Sequence, residues 1–284
     1  MKTKDNKATI FLAIFAVSLF FSLTHIAAKE AVMKLSPWVV AFYRFVIGSA
    51  TLFLLMKMTG KKITLHPVDR WRFVTLAFLA VPVNQMTFLI GIHYTPASHP
   101  ALMYATTPAW VLLLTVWLRV EKLRWWKWAG IALAMIGVAV LFAGELISFN
   151  KGTVLGDMLI IVAVLSWALY TALGKPIVER YGSLETTFVV LTFGLFLYLP
   201  FGLIPVMTAD YSQTNATVWL SIVYIGVFAS GLAYFLWYWL LERIRPSVDH
   251  FRNSTHLPSF GERFYCALGR VSYGGVRWHQ TGDR

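Results

Sequence analysis

Apolar residues along this chain gather into eight runs separated by short polar connections, and the runs stop at residue 241. They cover residues 8–28, 37–57, 73–93, 98–118, 125–144, 155–174, 185–206 and 217–241. At about 1.5 Å of rise per residue, each run has the length of a bilayer-crossing helix. Helix is the default geometry, because hydrocarbon offers no partner to an open backbone N–H or C=O. The pattern predicts an all-α integral membrane protein with eight transmembrane helices. The run 8–28 follows Lys2, Lys4 and Lys7, as a cleaved leader would. It is long for one, and seven similar runs follow, so it is read as the first span.

Composition agrees. Of 284 residues, 58% are hydrophobic and 13% charged, against roughly 25% charged in a soluble domain. The net charge of +12 does not predict a nucleic-acid partner, because the basic residues sit in the connections and form no face of a soluble domain. Their distribution predicts orientation instead. With residues 1–7 in the cytoplasm, inside segments hold 16 Lys and Arg and outside segments only Lys29, Lys34 and Lys151. Such an excess marks the cytoplasmic side of a cell inner membrane. Trp71, Trp125, Trp126, Trp128 and Trp219 fall near span ends, where interfacial anchors lie. The lone cysteine, Cys266, excludes a disulfide framework within the chain.

The runs also repeat. A shift of 146 places Phe21 on Trp167, Lys29 on Lys175, Lys34 on Arg180, Phe42 on Phe188 and Gly48 on Gly194. A shift of 150 places Asn84 on Tyr234 and Pro96 on Pro246. This outlines a repeat of five spans. An odd number sends the second copy into the membrane from the other side, which makes an inverted repeat. Residues 8–144 form the first repeat and residues 155–248 three helices of the second, so eight helices of an expected ten are present. Residues 249–284 are a basic, non-membrane tail with no apolar run, read as the product of a shifted reading frame after Val248 in preference to a native segment. Without two further helices, the polar face of the last span is expected to meet lipid. A homodimer would be one way to cover it.

Several strings carry a family likeness: Lys29 with Leu35-Ser36-Pro37 and Ala41-Phe42-Tyr43-Arg44-Phe45; Tyr94-Thr95-Pro96-Ala97-Ser98 leading to Tyr104-Ala105-Thr106-Thr107-Pro108-Ala109-Trp110; Glu121-Lys122-Leu123; Ser166-Trp167-Ala168-Leu169-Tyr170; and Leu241-Glu242-Arg243-Ile244-Arg245-Pro246-Ser247. In their order and spacing residues 8–248 resemble the drug/metabolite transporter superfamily, EamA type. The resemblance implies ten helices in two five-helix halves and the movement of small metabolites or drugs, often outward.

No catalytic constellation is visible. The histidines show no metal-ligand spacing on one helix, and no phosphate loop, serine elbow or carboxylate pair appears. No enzyme, cofactor or metal is expected, and no ATP-binding motif. The candidate chemistry is solute binding. Arg44 lies about seven residues into the second span, deep enough that its charge must face the bundle interior or a water-filled cavity. It either attracts anionic solutes or locks helices together. Asn84 and Gln85 sit mid-span and need partners. Ser230, Tyr234 and Trp237 share one helix face by their spacing. With Thr24, His25, Tyr104, Trp110, Trp167 and Tyr170 they predict an aromatic, polar and almost charge-free lining, or alternatively an aromatic packing stripe. Lys29 and Lys175 are candidate gates on opposite faces, or interfacial anchors. Pro82 and Pro108 interrupt their helices. The reading is a secondary transporter exporting amino acids or related amphipathic or aromatic compounds by alternating access, with a small-molecule substrate and the bilayer as partners. The alternatives are a non-functional truncated homologue and a membrane-embedded binding or signalling protein.

Overall fold

The computed structural model describes residues 7–117, 125, 128–133, 136 and 151–243. Among these the secondary structure is helical and contains no strand. Six helices are long and apolar enough to cross a membrane. They are α1 (Lys7–Lys34), α2 (Pro37–Met58), α3 (Pro67–Tyr94), α6 (Gly152–Tyr181), α7 (Ser183–Thr208) and α8 (Ala216–Arg243). Two shorter helices, α4 (Ser98–Ala105) and α5 (Thr107–Trp117), stand between α3 and α6.

The fourth expected span, 98–118, is thus broken in two. Pro108 has no N–H to give the carbonyl of Tyr104, and the chain turns tightly at Thr106, whose N–H donates to Met103 at 3.1 Å. The fifth expected span, 125–144, lies largely outside the described residues, as does the tail 249–284. The other helices outrun their apolar runs. α1 continues past Ala28 to Lys34, because nothing in Lys29-Glu30-Ala31 breaks a helix before Ser36-Pro37. Proline at the first position then starts α2 with its missing N–H at no cost. Asn215 caps α8 by accepting from the Val218 N–H at 3.0 Å. Gly182, at φ 91°, makes the one-residue turn from α6 to α7.

Two spans change winding midway. α3 is π-helical over Leu79–Val83, around Pro82, and α8 over Ile225–Ala233. Under the 150 shift, 79–83 falls on 229–233, inside the second segment. Each packs on a span of the other half: α8's π segment on α2 and α3's on α7. Gly48 and Gly194, matched by the 146 shift, stand at these contacts. A Cβ on Gly48 would lie 3.0 Å from Ser230 Cβ, and one on Gly194 would collide with Val81. Closer still, α3 meets α6 backbone to backbone. A Cβ on Gly91 would fall 2.8 Å from the Gly156 carbonyl oxygen, and one on Gly156 would fall 2.8 Å from that of Gly91.

The outside of the bundle is apolar. Phe11, Phe15, Phe53, Phe196, Phe201 and Met207 are exposed, as side chains facing lipid are. The polar face of α8, expected to meet lipid, is instead covered. Ser230 and Tyr234 are buried against Arg44 of α2, Gln85 of α3 and Trp167 of α6.

Apart from Arg44 of α2, the described ion pairs stand near the ends of the bundle. At one end the fully buried Asp69 holds Arg72 at 3.0 Å, Arg180 at 2.6 Å and the Tyr181 hydroxyl at 2.7 Å, while Lys61 pairs with Glu185 at 2.8 Å. These contacts tie the α2–α3 connection to the α6–α7 turn. At the other end, Lys29 donates to the carbonyls of Ile92, His93 and Thr95 at 2.8, 3.0 and 3.0 Å, capping α3. Beside it Asp157 accepts from Thr95 at 2.8 Å and from His99 at 2.9 Å.

Two substitutions probe these contacts. Gly91→Val forces α3 and α6 apart and is expected to destabilise the protein by about 1–3 kcal/mol, read as a lower midpoint in detergent thermal unfolding. Asp69→Ala leaves Arg72 without its described carboxylate and is expected to cost about 3–5 kcal/mol in the same measurement.

A candidate solute-binding cavity

Between α1, α2, α3, α4, α5, α6 and α8 lies a cavity of about 420 Å³. Its polar wall begins at α3's π segment. The π turn keeps its own backbone bonding, with the Asn84 N–H donating to the Leu79 carbonyl, and side chains of α6 and α3 add bonds between the two helices. Ser166 Oγ donates to the Leu79 carbonyl at 2.8 Å. Asn84, the first residue after the π turn, donates to the Ala163 carbonyl at 2.6 Å and to the Tyr104 hydroxyl at 2.9 Å. Gln85 donates to Asn84 Oδ1 and to the Tyr234 hydroxyl, joining α3 to α8. The residues that the 150 shift matched, Asn84 and Tyr234, are thus bridged by one side chain.

Facing this network is an aromatic wall. Trp167 stands 4.7 Å from Tyr234, 5.8 Å from Phe21 and 6.1 Å from Trp237, centroid to centroid. Phe21 and Trp167, another repeat-matched pair, touch edge to face. His25 lies between Phe88 and Tyr104, at 5.8 and 5.9 Å from their centroids. Arg44 closes the remaining side. Its guanidinium is 2% exposed, donates from Nε to Ser230 Oγ at 2.6 Å and lies 6.0 Å from the Phe88 centroid.

The structure brings together most of the residues singled out above. Thr24, His25, Arg44, Asn84, Gln85, Tyr104, Trp167, Tyr234 and Trp237 all line the cavity. Tyr170 stands behind Trp167, with its carbonyl accepting from the Tyr238 hydroxyl at 3.2 Å. Trp110 is turned to its own helix and donates to Thr106 Oγ1 at 3.1 Å. Neither is on the cavity wall. Lys29 is outside it too, engaged as the cap of α3. Lys175 is half-buried on α6, 18 residues beyond Asp157. By helical rise that is roughly 27 Å from the Lys29 end. Also on the wall are Ser18, Phe21, Ser22, Phe88, Ala101, Ala105 and Thr107. Ser18, Ser22 and His25 share one face of α1 at i, i+4 and i+7, a stripe that helical periodicity could have revealed.

A polytopic helical bundle with a mid-span cavity, polar on one wall and aromatic on the other, has the form of a membrane transporter. The profile of the EamA-like transporter family matches residues 8–143 and again residues 154–249. The chain belongs to that family. Among its relatives, Uncharacterized transporter YetK of Bacillus subtilis (strain 168) is 27% identical over 242 residues, covering 84% of this chain and 73% of that protein. Uncharacterized inner membrane transporter YedA of Escherichia coli (strain K12) is 25% identical over 243 residues, covering 84% and 76%. A transporter of Archaeoglobus fulgidus, also named uncharacterized, is 27% identical over 231 residues, covering 80% and 79%. One solved crystal structure shares the fold, with a TM-score of 0.63 at 20% identity over 84% of this chain and 80% of that one.

The polar network predicts a measurable coupling. In a double-mutant cycle of Asn84→Ala and Tyr104→Phe, unfolding free energies are expected to show an interaction of about 0.6 kcal/mol, and no more than about 1.7. A cycle between Trp110→Phe and Asn84→Ala, which do not touch, is expected to show none.

Proposed function

We propose that this membrane transporter is a secondary carrier of small amphipathic or aromatic metabolites, amino acids and their relatives among them. It acts as an exporter across a bacterial inner membrane, with its N-terminus in the cytoplasm. The observation that carries the reading is the cavity itself. Its volume of about 420 Å³ falls within the range of small-molecule sites, about 300–1,000 Å³. Its aromatic wall suits an apolar body, and its polar atoms suit a few oriented hydrogen bonds.

Alternating access is the mechanism that the two halves favour. Both π segments lie mid-span beside the cavity, each against a span of the opposite half. A π turn gives a helix a place to bend without exposing backbone to lipid. The repeat-matched contacts Phe21–Trp167 and Asn84–Gln85–Tyr234 lie where the halves meet, as expected near a pseudo-two-fold axis in the membrane plane. The polar clusters around Asp69 and around Asp157 stand at the two ends of the bundle. In this mechanism they open in turn while the cavity remains between them.

Reconstitution tests this. Proteoliposomes of the full chain, preloaded with unlabelled solute from a panel of aromatic and aliphatic amino acids, the corresponding 2-hydroxy acids and the corresponding amines, should accumulate the labelled form of at least one by counterflow. Tyr234→Ala, which removes one face of the cavity and the partner of Gln85, should lower that rate at least tenfold while the protein stays monodisperse. Oriented vesicles should show faster release from the cytoplasmic side. Counterflow absent across the whole panel would refute the carrier reading.

A further inference from the structure

Seven buried side-chain atoms among the described residues lack a hydrogen-bond partner, and three of them belong to residues of the cavity wall: Arg44 Nη1, Gln85 Oε1 and Thr107 Oγ1. Buried polar groups in a folded protein are nearly always partnered. Three such atoms around one cavity mark where a bound molecule completes the hydrogen bonding. The chemistry of the three atoms is specific. A guanidinium only donates, an amide oxygen only accepts, and a hydroxyl does both.

The charge of the wall narrows the ligand further. Among the described residues, Arg44 is the one side chain lining the cavity that carries a permanent charge, and no Asp or Glu lines it. No carboxylate pairs with Arg44 among the described residues; its described hydrogen bond goes to the neutral Ser230. A buried guanidinium without a counter-ion is costly, and a carboxylate neutralises it with the best geometry available to it. A zwitterion would bring the carboxylate together with an ammonium for which the wall has no opposing charge. A cation would add to the positive charge already there.

We propose that the solute is an organic acid carried as its monoanion. Its carboxylate sits on Arg44, a neutral O–H or N–H beside the carboxylate donates to Gln85 Oε1, and an aromatic body lies against Trp167, Tyr234 and Trp237. The proposal rests on the carrier reading for its physiological meaning. The site itself is defined by binding, so the two are separable by experiment.

The test uses three probes that share a phenyl ring and differ in charge: 3-phenyllactate, phenylalanine and phenethylamine. Binding to the purified full chain in nanodiscs is followed by quenching of tryptophan fluorescence and by calorimetry. Counterflow is followed in proteoliposomes. Phenyllactate should bind at least tenfold more tightly than phenylalanine, and phenethylamine should be weakest. Arg44→Gln should abolish the preference. Arg44→Lys, which keeps the charge, should restore most of it, and the wild-type series decides the matter even if Arg44→Gln does not fold. Graded binding of this order without counterflow would refute the carrier and leave the carboxylate site standing. Phenylalanine binding or moving as well as phenyllactate, or phenyllactate failing to bind at millimolar concentration, would overturn the carboxylate site. A preference unchanged in Arg44→Gln would overturn the role given to Arg44.

Discussion

A hydrocarbon core offers no hydrogen-bond partner, and the polar centre of this protein is organised by that constraint. At the π turn of α3, side chains add hydrogen bonds between helices to those the backbone makes for itself. The carbonyl of Leu79, at the start of α3's π turn, accepts from Ser166 of α6. Asn84, at the end of that turn, reaches the carbonyl of Ala163 on the same neighbour. These polar side chains fasten α3 to α6 beside the π turn, and Asn84 also lines the cavity.

Close packing and deformability alternate through the bundle. Where Gly91 meets Gly156 the two backbones touch, and α3 and α6 are held at a fixed separation. A few residues earlier α3 passes through its π segment, and Gly194 lets α7 come against it. α8 does the same opposite Gly48 of α2. Gln85 joins Asn84, just past the π segment of α3, to Tyr234, just past that of α8, so both irregular segments adjoin one hydrogen-bonded unit of the cavity wall.

The ends of the bundle follow different physics. Water is near, so charges are affordable and are used to fasten helix termini. Asp69 gathers two arginines and a tyrosine from segments up to 112 positions away. Lys29 satisfies three carbonyls at the end of α3. Arg180 and Lys61, 49% and 43% exposed, keep contact with water, unlike the interior network around Asn84.

The sequence by itself determined the class of the protein and most of its spans, because length and hydropathy are local properties set by bilayer thickness. It also marked Arg44, Asn84 and Gln85, since a polar side chain within an apolar run has few permissible surroundings. It misplaced Trp110 and Tyr170 on the cavity wall, because rotation about a helix axis and the choice of partner are not local. Aromatic spacing is the same whether a ring faces a cavity or packs behind one. The cap that Lys29 makes, the partners of Asp157 and the pairing of Asp69 with Arg180 and Tyr181 depend on residues far away in the chain. Only the tertiary structure decided them, since a hydrogen bond between positions 58 to 112 apart exists only after the helices have chosen their neighbours. The same holds for Arg44. Its depth was written in the sequence, but that it meets the neutral Ser230 and no carboxylate among the described residues is a property of the packed bundle.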